Sequence, residues 1–240
     1  MEQVKALLFD VFGTVVDWRS GVIRDVTVLA AKHGADIDAA SLADRWRAAY
    51  RPAMNQVRTG ELPWINLDGL HRRTLDQLLS ADQEEGTGLK DLDEAGRAWL
   101  TTCWHRLDPW PDAVAGLERL KQRYIISAFS NGNVALLVDM ARWGRLPWDF
   151  VASAELFRHY KPDPQTYLGA AGLLSLSPAE VMLVAAHNDD LIAADDLGLA
   201  TAFVPRPGDL GPNHEANQEP ARPYTCVAAD FGDLADQLGA

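Results

Sequence analysis

Polar side chains follow several short apolar runs of this 240-residue chain, at points where a buried strand would end. They are, in chain order, Asp10, Thr14, Ser130, Asn131, His187 and Asp190. Lys161 lies in the segment Tyr-Lys-Pro-Asp-Pro, just before a helix that Pro164 opens. One such residue alone could be a helix cap, but a lysine can keep a buried carboxylate ionised, and an ionised aspartate is a usable nucleophile. We therefore predict an active site in which Asp10 is the nucleophile.

The elements that must position these residues are strands and helices in alternation. Short apolar runs predict strands at residues 4–9, 124–129, 150–154, 181–186 and 201–204. Helical patterns separate them near residues 112–122, 134–143, 164–174 and before Gly198, and residues 230–238 close the chain as a helix. Strands joined by single helices predict an α/β fold with a doubly wound, parallel, Rossmann-like sheet. Such sheets bind ligands at the carboxyl ends of their strands.

Residues 19–105 carry a different pattern, with four apolar stripes at helical spacing. The stripes are Val22, Val26, Leu29 and Ala30; Leu42, Trp46, Ala49, Tyr50 and Ala53; Leu67, Leu70, Leu75 and Leu78; and Leu89, Leu92, Trp99 and Cys103. Because this block follows the first strand, we predict an inserted all-helical cap domain that covers the strand ends. The core domain would then comprise residues 1–18 and 106–240, with residues 205–223 as a Pro-rich loop.

Composition excludes several classes of partner. The balance of 22 basic against 34 acidic residues gives a net charge of −12, which argues against a nucleic-acid or anionic-membrane surface. The two cysteines, Cys103 and Cys226, are far apart and lack CxxC spacing, so we expect no disulfide, no thiolate metal site and a cytoplasmic location. No apolar run predicts a signal peptide or a membrane span. Apolar faces on the cap are compatible with a homodimer.

The ordered motifs resemble those of the haloacid-dehalogenase-superfamily hydrolases over nearly the whole chain. These motifs are Asp-x-x-Gly-Thr, a strand ending in Ser-Asn, a Lys-Pro, and a strand followed by an acidic residue. Phosphatases of that superfamily have a second carboxylate two residues after the nucleophile, and a Mg²⁺-binding carboxylate at the end of the fourth-motif strand. Here Phe12 and Ala185-Ala186 occupy those places. Phosphoryl transfer would lack its acid and its metal ligand, so we expect neither a metal nor a cofactor.

Displacement of halide from carbon needs neither of those groups. The segment Asp-Val-Phe-Gly-Thr-Val-Val-Asp resembles the first motif of the metal-independent L-2-haloacid dehalogenases, and Trp46-Arg47 resembles the Trp-Arg of their cap. Ser130-Asn131-Gly132, and Lys161-Pro162-Asp163 followed by Tyr167, resemble their later motifs. The resemblance implies hydrolysis of a short 2-haloacid, such as a haloacetate, to a 2-hydroxy acid through an ester on Asp10, with water as the second reactant.

The resemblance also implies a role for each site residue. Lys161 would keep Asp10 ionised, Arg47 and Asn131 would stabilise the departing halide, and Thr14 and Ser130 would bind the substrate carboxylate. Phe12 and Tyr167 would line the pocket. The fourth motif differs from the common Ser-Ser-Asn-x-x-Asp, since Ala185 replaces a serine and His187 takes the place of the asparagine. Asp190 and His187 are therefore alternative bases for the hydrolytic water.

Other functions stay open on the sequence. One is hydrolytic opening of another activated small carboxylate at C2, such as an azetidine ring. A phosphatase is the next alternative, and a catalytically silent binding protein is the last. The presence of Asp10, Lys161 and Asp190 together argues against the silent alternative, because a binding module has no need of a nucleophile and its ionising lysine.

Overall fold

The computed structural model describes residues 3–81, 89, 91–211 and 218–240. Two compact units are present, one comprising Met1–Asp17 with Asp108–Ala240 and the other comprising Trp18–Leu107. The glycines Gly86 and Gly88 predict a loop between the third and fourth helical stripes, and both lie outside the described residues. Within the described ranges, no helix is both long and apolar enough to span a bilayer.

The elements are numbered in chain order. The strands are β1 (Ala6–Phe9), β2 (Val16–Asp17), β3 (Asp108–Pro109), β4 (Ile125–Ser130), β5 (Phe150–Ser153), β6 (Val181–Ala185), β7 (Ala200–Phe203) and β8 (Cys226–Val227). The helices are α1 (Trp18–His33), α2 (Ala39–Arg58), α3 (Leu67–Ala81), α4 (Glu94–Thr101), α5 (Ala113–Leu120), α6 (Val134–Gly144), α7 (Ala154–Phe157), α8 (Pro164–Leu173), α9 (Asn188–Asp196) and α10 (Phe231–Leu238).

The first unit is built on a six-stranded sheet in the order β5-β4-β1-β6-β7-β8. All neighbouring strands in this sheet are parallel. The strands β1 and β6 are continuous apolar runs with every residue buried, as expected when helices cover both faces of a sheet. Since β1 lies between β4 and β6, the residues that follow these three strands meet at one edge. The predicted doubly wound parallel sheet is confirmed.

Short elements of the first unit differ from the sequence prediction. The strands β2 and β3 form a two-residue antiparallel pair, in which Val16 is opposite Pro109. At the far edge, β8 pairs with β7, and the one-turn helix α7 follows β5 directly. Segments of two to four residues have no periodicity from which they could be predicted. Tertiary pairing and packing therefore decide their structure.

The second unit contains α1 to α4 and a core rich in aromatic rings. Trp18 stacks on Trp104 with ring centroids 6.1 Å apart. His71 also stacks on Trp104, with ring centroids 4.3 Å apart. Trp46 crosses Trp104 edge to face at 5.4 Å. These rings are almost fully buried, so they supply a large part of the apolar surface that holds the four helices together.

Two of the predicted helical stripes need correction. The fourth helix begins only at Glu94, because the Asp93 side chain caps it by accepting a hydrogen bond from the Gly96 N–H. Leu92 therefore precedes that helix, and Trp99 within it is 38% exposed. In α3 the fourth buried leucine is Leu79 rather than Leu78, as the 3.6-residue repeat allows at either position.

Candidate active site

Asp10 lies immediately after β1, at the carboxyl edge of the sheet. Its backbone N–H donates to the Val184 carbonyl of β6 at 3.0 Å, which continues the strand pairing by one residue. The Thr14 hydroxyl donates to Asp10 Oδ2 at 2.8 Å and accepts from the Ala186 N–H at 2.9 Å. Thr14 was predicted to bind a substrate carboxylate. In the structure its proton is directed to Asp10, so the hydroxyl orients this carboxylate, and binding of a substrate carboxylate by Thr14 stays a prediction.

Lys161 provides the positive charge beside Asp10. Its Nζ donates to Asp10 Oδ1 at 2.8 Å and to the Phe129 carbonyl at 3.2 Å, and it also pairs with Asp190. Burial alone would raise the pKa of Asp10, but the charges of Lys161 and His187 outweigh that effect and hold this pKa well below its usual range. Burial lowers the pKa of Lys161, but the charges of Asp10 and Asp190 act in the opposite direction and outweigh burial, so this pKa lies above its usual value. Both groups are therefore charged at neutral pH.

Asp190 has both carboxylate oxygens engaged. Oδ2 accepts from Lys161, and Oδ1 accepts from the Tyr167 hydroxyl at 2.5 Å. Burial raises the pKa of Asp190, Lys161 acts against this, and the Asp10 charge adds to the rise. The Tyr167 ring is fully buried and packs edge to face on Phe129 at 5.1 Å. The Tyr167 hydroxyl therefore orients Asp190. The sequence predicts Tyr167 only as a residue that lines the pocket, and this contact is additional to that prediction.

His187 lies between two carboxylates. Its Nδ1 is 2.9 Å from Asp10 Oδ2, and its Nε2 is 2.9 Å from Asp209 Oδ2. Because ionised carboxylate oxygens only accept hydrogen bonds, both ring nitrogens must donate, and the ring is an imidazolium. Burial lowers the pKa of His187, but the two carboxylates outweigh burial and raise it to about 10.

Asp209 belongs to the segment 205–223, which the sequence predicts only as a loop, so the sequence does not predict Asp209 as a site residue. The signal that could have found it is its position a few residues after β7, at the same edge of the sheet as the other site residues.

Ser130 and Asn131 follow β4 and are both buried. The Asn131 Oδ1 accepts from the Lys161 backbone N–H at 2.7 Å, which orients the amide so that its Nδ2 group is the remaining donor. The Ser130 Oγ accepts from the Gly132 N–H at 3.1 Å. These contacts fix the turn after β4 against the loop that carries Lys161. Phe12, two residues after Asp10, is buried as well.

Arg47 belongs to α2 in the helical unit. Its guanidinium carbon is 4.4 Å from the centroid of the Tyr50 ring and 5.3 Å from that of Trp18, both within the range of cation–π contacts. Its Nη1 is buried and has no hydrogen-bond partner among the described residues. A buried cationic N–H group without an acceptor is a favourable position for an anion.

The fold and this buried cluster define the chain as a doubly wound α/β protein with an ionised aspartate–lysine pair at the carboxyl edge of its parallel sheet. A sequence model of the haloacid dehalogenase-like hydrolases matches residues 4–198. (S)-2-haloacid dehalogenase 4A of Burkholderia cepacia is 30% identical over 213 residues, which are 87% of this chain and 86% of that protein. The chain therefore belongs to the haloacid dehalogenase-like hydrolase family.

Solved structures agree in both fold and sequence. The crystal structure of an L-2-haloacid dehalogenase is 49% identical, with a TM-score of 0.92 over 98% of this chain and 99% of that one. The crystal structure of a defluorinating L-2-haloacid dehalogenase is 47% identical, with a TM-score of 0.94 over 99% of this chain and 96% of that one.

Proposed function

We propose that the protein hydrolyses the carbon–halogen bond of short 2-haloalkanoic acids, such as haloacetates, to give 2-hydroxy acids through an ester on Asp10. The observation that carries this proposal is the ionised Asp10 beside Lys161, with buried Phe12 in the place of a phosphatase acid. The dehalogenase relatives support the same reaction. Fluoroacetate is a candidate substrate because one of these relatives is a defluorinating enzyme.

In the first step, one oxygen of Asp10 displaces halide from C2. Among the described residues, Oδ2 receives hydrogen bonds from Thr14 and His187, whereas Oδ1 receives one from Lys161. Oδ1 thus keeps a lone pair for attack at the rear of C2, and the halide leaves with the bonding electron pair. The Asn131 amide and Arg47 would stabilise the halide as its charge develops. Ser130 and the backbone amides after Asp10 would hold the substrate carboxylate.

In the second step, water hydrolyses the Asp10 ester. Both oxygens of Asp190 are engaged by Lys161 and Tyr167, whereas His187 is in direct contact with Asp10. We therefore assign the base to His187 and assign Asp190 to the orientation of Lys161. Loss of the Asp10 negative charge on esterification removes one of the two carboxylates that raise the pKa of His187. The ring can then lose its proton and accept one from water.

Halide release is expected to be unchanged by EDTA. The cations of Lys161 and His187 already occupy the space around Asp10, and Ala185 ends β6 and Ala186 follows it, where a metal-binding carboxylate would lie. The measurement follows halide from chloro-, bromo- and fluoroacetate with EDTA and with Mg²⁺, and p-nitrophenyl phosphate is assayed in parallel. Mg²⁺-dependent phosphate release without halide release would identify a phosphatase. Ring opening of azetidine-2-carboxylate alone would identify the other C2 hydrolase.

Arg47→Met is expected to slow halide release by about 10²- to 10³-fold, the usual cost of losing one preorganised donor to developing charge. Arg51→Met is the matched control, because Arg51 is one turn further along α2 and is exposed. The control should stay within about twofold of the unmodified protein, as surface substitutions usually do. Equal losses in the two variants, or no loss in Arg47→Met, would remove Arg47 from the halide site.

Two further features of the protein belong to this proposal. A reducing cytoplasmic compartment is supported by Cys103 and Cys226, which are both buried and free. A homodimer stays a prediction, and light scattering of the purified protein tests it.

A further inference from the structure

The loop after β7 brings a second carboxylate to the far side of His187. Asp209 Oδ2 lies 2.9 Å from His187 Nε2, while His187 Nδ1 lies 2.9 Å from Asp10 Oδ2, so the three side chains form one continuous chain. Asp209 is buried. Building on the proposed function, we propose that Asp209 is a positioning residue that holds His187 against Asp10 for hydrolysis of the ester.

The loop is anchored so that Asp209 has a fixed position. The Arg206 guanidinium forms a two-pronged pair with Asp112 at 2.7 and 2.9 Å and also donates to the Thr14 carbonyl at 2.9 Å. The Asp209 N–H donates to the Arg206 carbonyl at 3.1 Å. A bidentate arginine pair is a rigid connection. Here it ties the loop to Asp112, and the separate Nε hydrogen bond ties the loop to the turn that carries Thr14. The loop is thus built into the site.

Gly13 provides the space that Asp209 occupies. A Cβ atom on Gly13 would lie 2.2 Å from Asp209 Oδ1, far inside van der Waals contact, and the backbone of Gly13 has φ +86°, where other residues are strained. The Asp209 carboxylate therefore packs directly on the turn that follows Asp10. This close packing leaves His187 little freedom to move away from the nucleophile.

Asp209 determines which nitrogen of His187 is available as the base, because it contacts Nε2 and leaves Nδ1 facing Asp10. With Asp209 accepting from Nε2–H, the neutral form of His187 carries its lone pair on Nδ1, the nitrogen that faces Asp10. The carboxylate also stabilises the imidazolium that forms when this nitrogen takes a proton. Asp209 thus selects both the tautomer and the orientation of the base.

The step balances as an ester hydrolysis. Water oxygen attacks Cγ of the Asp10 ester while one water proton moves to His187 Nδ1. The bond between Cγ and the ester oxygen, which is the former Oδ1 of Asp10 now bonded to C2, then breaks and its electron pair stays on that oxygen. The proton on His187 moves to this oxygen and gives the 2-hydroxy acid. The second proton of the water leaves from the restored Asp10 carboxyl group to solvent.

The charges around His187 determine what a substitution does to the pH dependence. Asp10 faces Nδ1 from the end of β1, and Asp209 faces Nε2 from the loop after β7; Lys161 and Asp190 lie beyond Asp10. Asp189 lies on the same helix as Asp190. Removal of the Asp209 charge should lower the pKa of His187, because one of the two carboxylates that raise it is lost.

The test compares Asp209→Asn with the unmodified protein in rapid-quench reactions with chloroacetate. We expect a burst of one halide per active site, followed by ester hydrolysis slowed by about 10²-fold, the lower end of what a positioned base contributes. Mass spectrometry should show the Asp10 peptide carrying a carboxymethyl group. The acid limb of the ester-hydrolysis pH profile should move to lower pH. Asp195→Asn is the control, since Asp195 is a surface partner of Arg222 and should leave both phases unchanged.

A double-mutant cycle separates positioning from a general structural role. If Asp209 acts through His187, Asp209→Asn should add no further loss in a His187→Ala background. Asp209→Ser repeats the comparison in case the asparagine variant does not fold. Turnover within about twofold of the unmodified protein, equal slowing of burst and hydrolysis, or a further loss in the His187→Ala background would overturn the proposal. Absence of halide release from the unmodified protein would instead overturn the proposed function itself.

Discussion

Asp10→Asn is expected to release no measurable halide from any haloacetate, a loss of at least about 10⁴-fold, because the reaction then has no nucleophile. The amide keeps nearly the shape of the carboxylate, so Thr14 and Lys161 retain a neighbour at the same place. The loss should therefore appear in the chemical step while the fold persists, as judged by circular dichroism and thermal unfolding. Asp189→Asn is the matched control, because Asp189 is an exposed aspartate at the start of α9.

Isotope labelling gives the same prediction an independent readout. In a single turnover with enzyme in excess in ¹⁸O water, the 2-hydroxy acid should contain ordinary oxygen, since its new oxygen comes from Asp10. The label should be found in the Asp10 peptide instead. Label in the product of the first turnover would mean that water attacks C2 directly, and Asp10 would then not be the nucleophile.

The strand ends were predictable from the sequence because parallel strands share a simple rule. Buried strands appear as continuous apolar runs, and the residues after them meet at one edge. That rule alone placed Asp10, Ser130 and His187 at the same edge. The pairing of Lys161 with Asp10 also followed from charge, because a buried carboxylate stays ionised when a cation lies beside it.

The roles of individual hydroxyl groups and of the loop after β7 were not predictable in the same way. Whether Thr14 gives its proton to Asp10 or to a substrate depends on the Ala186 N–H that orients its oxygen, a contact 172 positions apart in the chain. Asp209 reaches His187 because Arg206 ties its loop to Asp112. Such contacts between distant segments leave no periodic pattern, although a search of every strand end would have included this loop.

Lys161→Met is expected to reduce halide release by about 10³-fold and to move its acid limb to higher pH. Without the cation, burial and the neighbouring charge of Asp190 raise the pKa of Asp10, so the nucleophile becomes protonated at a pH where the unmodified protein keeps it ionised. The burst of halide from chloroacetate, measured across pH by rapid quench, gives both quantities. Lys121→Met is the control, since Lys121 pairs with Asp149 at the surface, where such pairs contribute little.

The same substitution should change stability in a pH-dependent way. In the unmodified protein the lowered pKa of Asp10 contributes stability above the pKa of the unfolded chain, and this contribution is lost as pH falls through the folded value. Lys161→Met removes the largest of the interactions that lower this pKa and leaves Asp190 without its cation, which we expect to cost about 3–5 kcal/mol at neutral pH. The difference between the two proteins in urea unfolding should shrink on acidification, because protonated carboxyls no longer need the lysine. A difference that stays constant with pH would mean that Lys161 stabilises the fold by packing, and that the ionisation of Asp10 has another source.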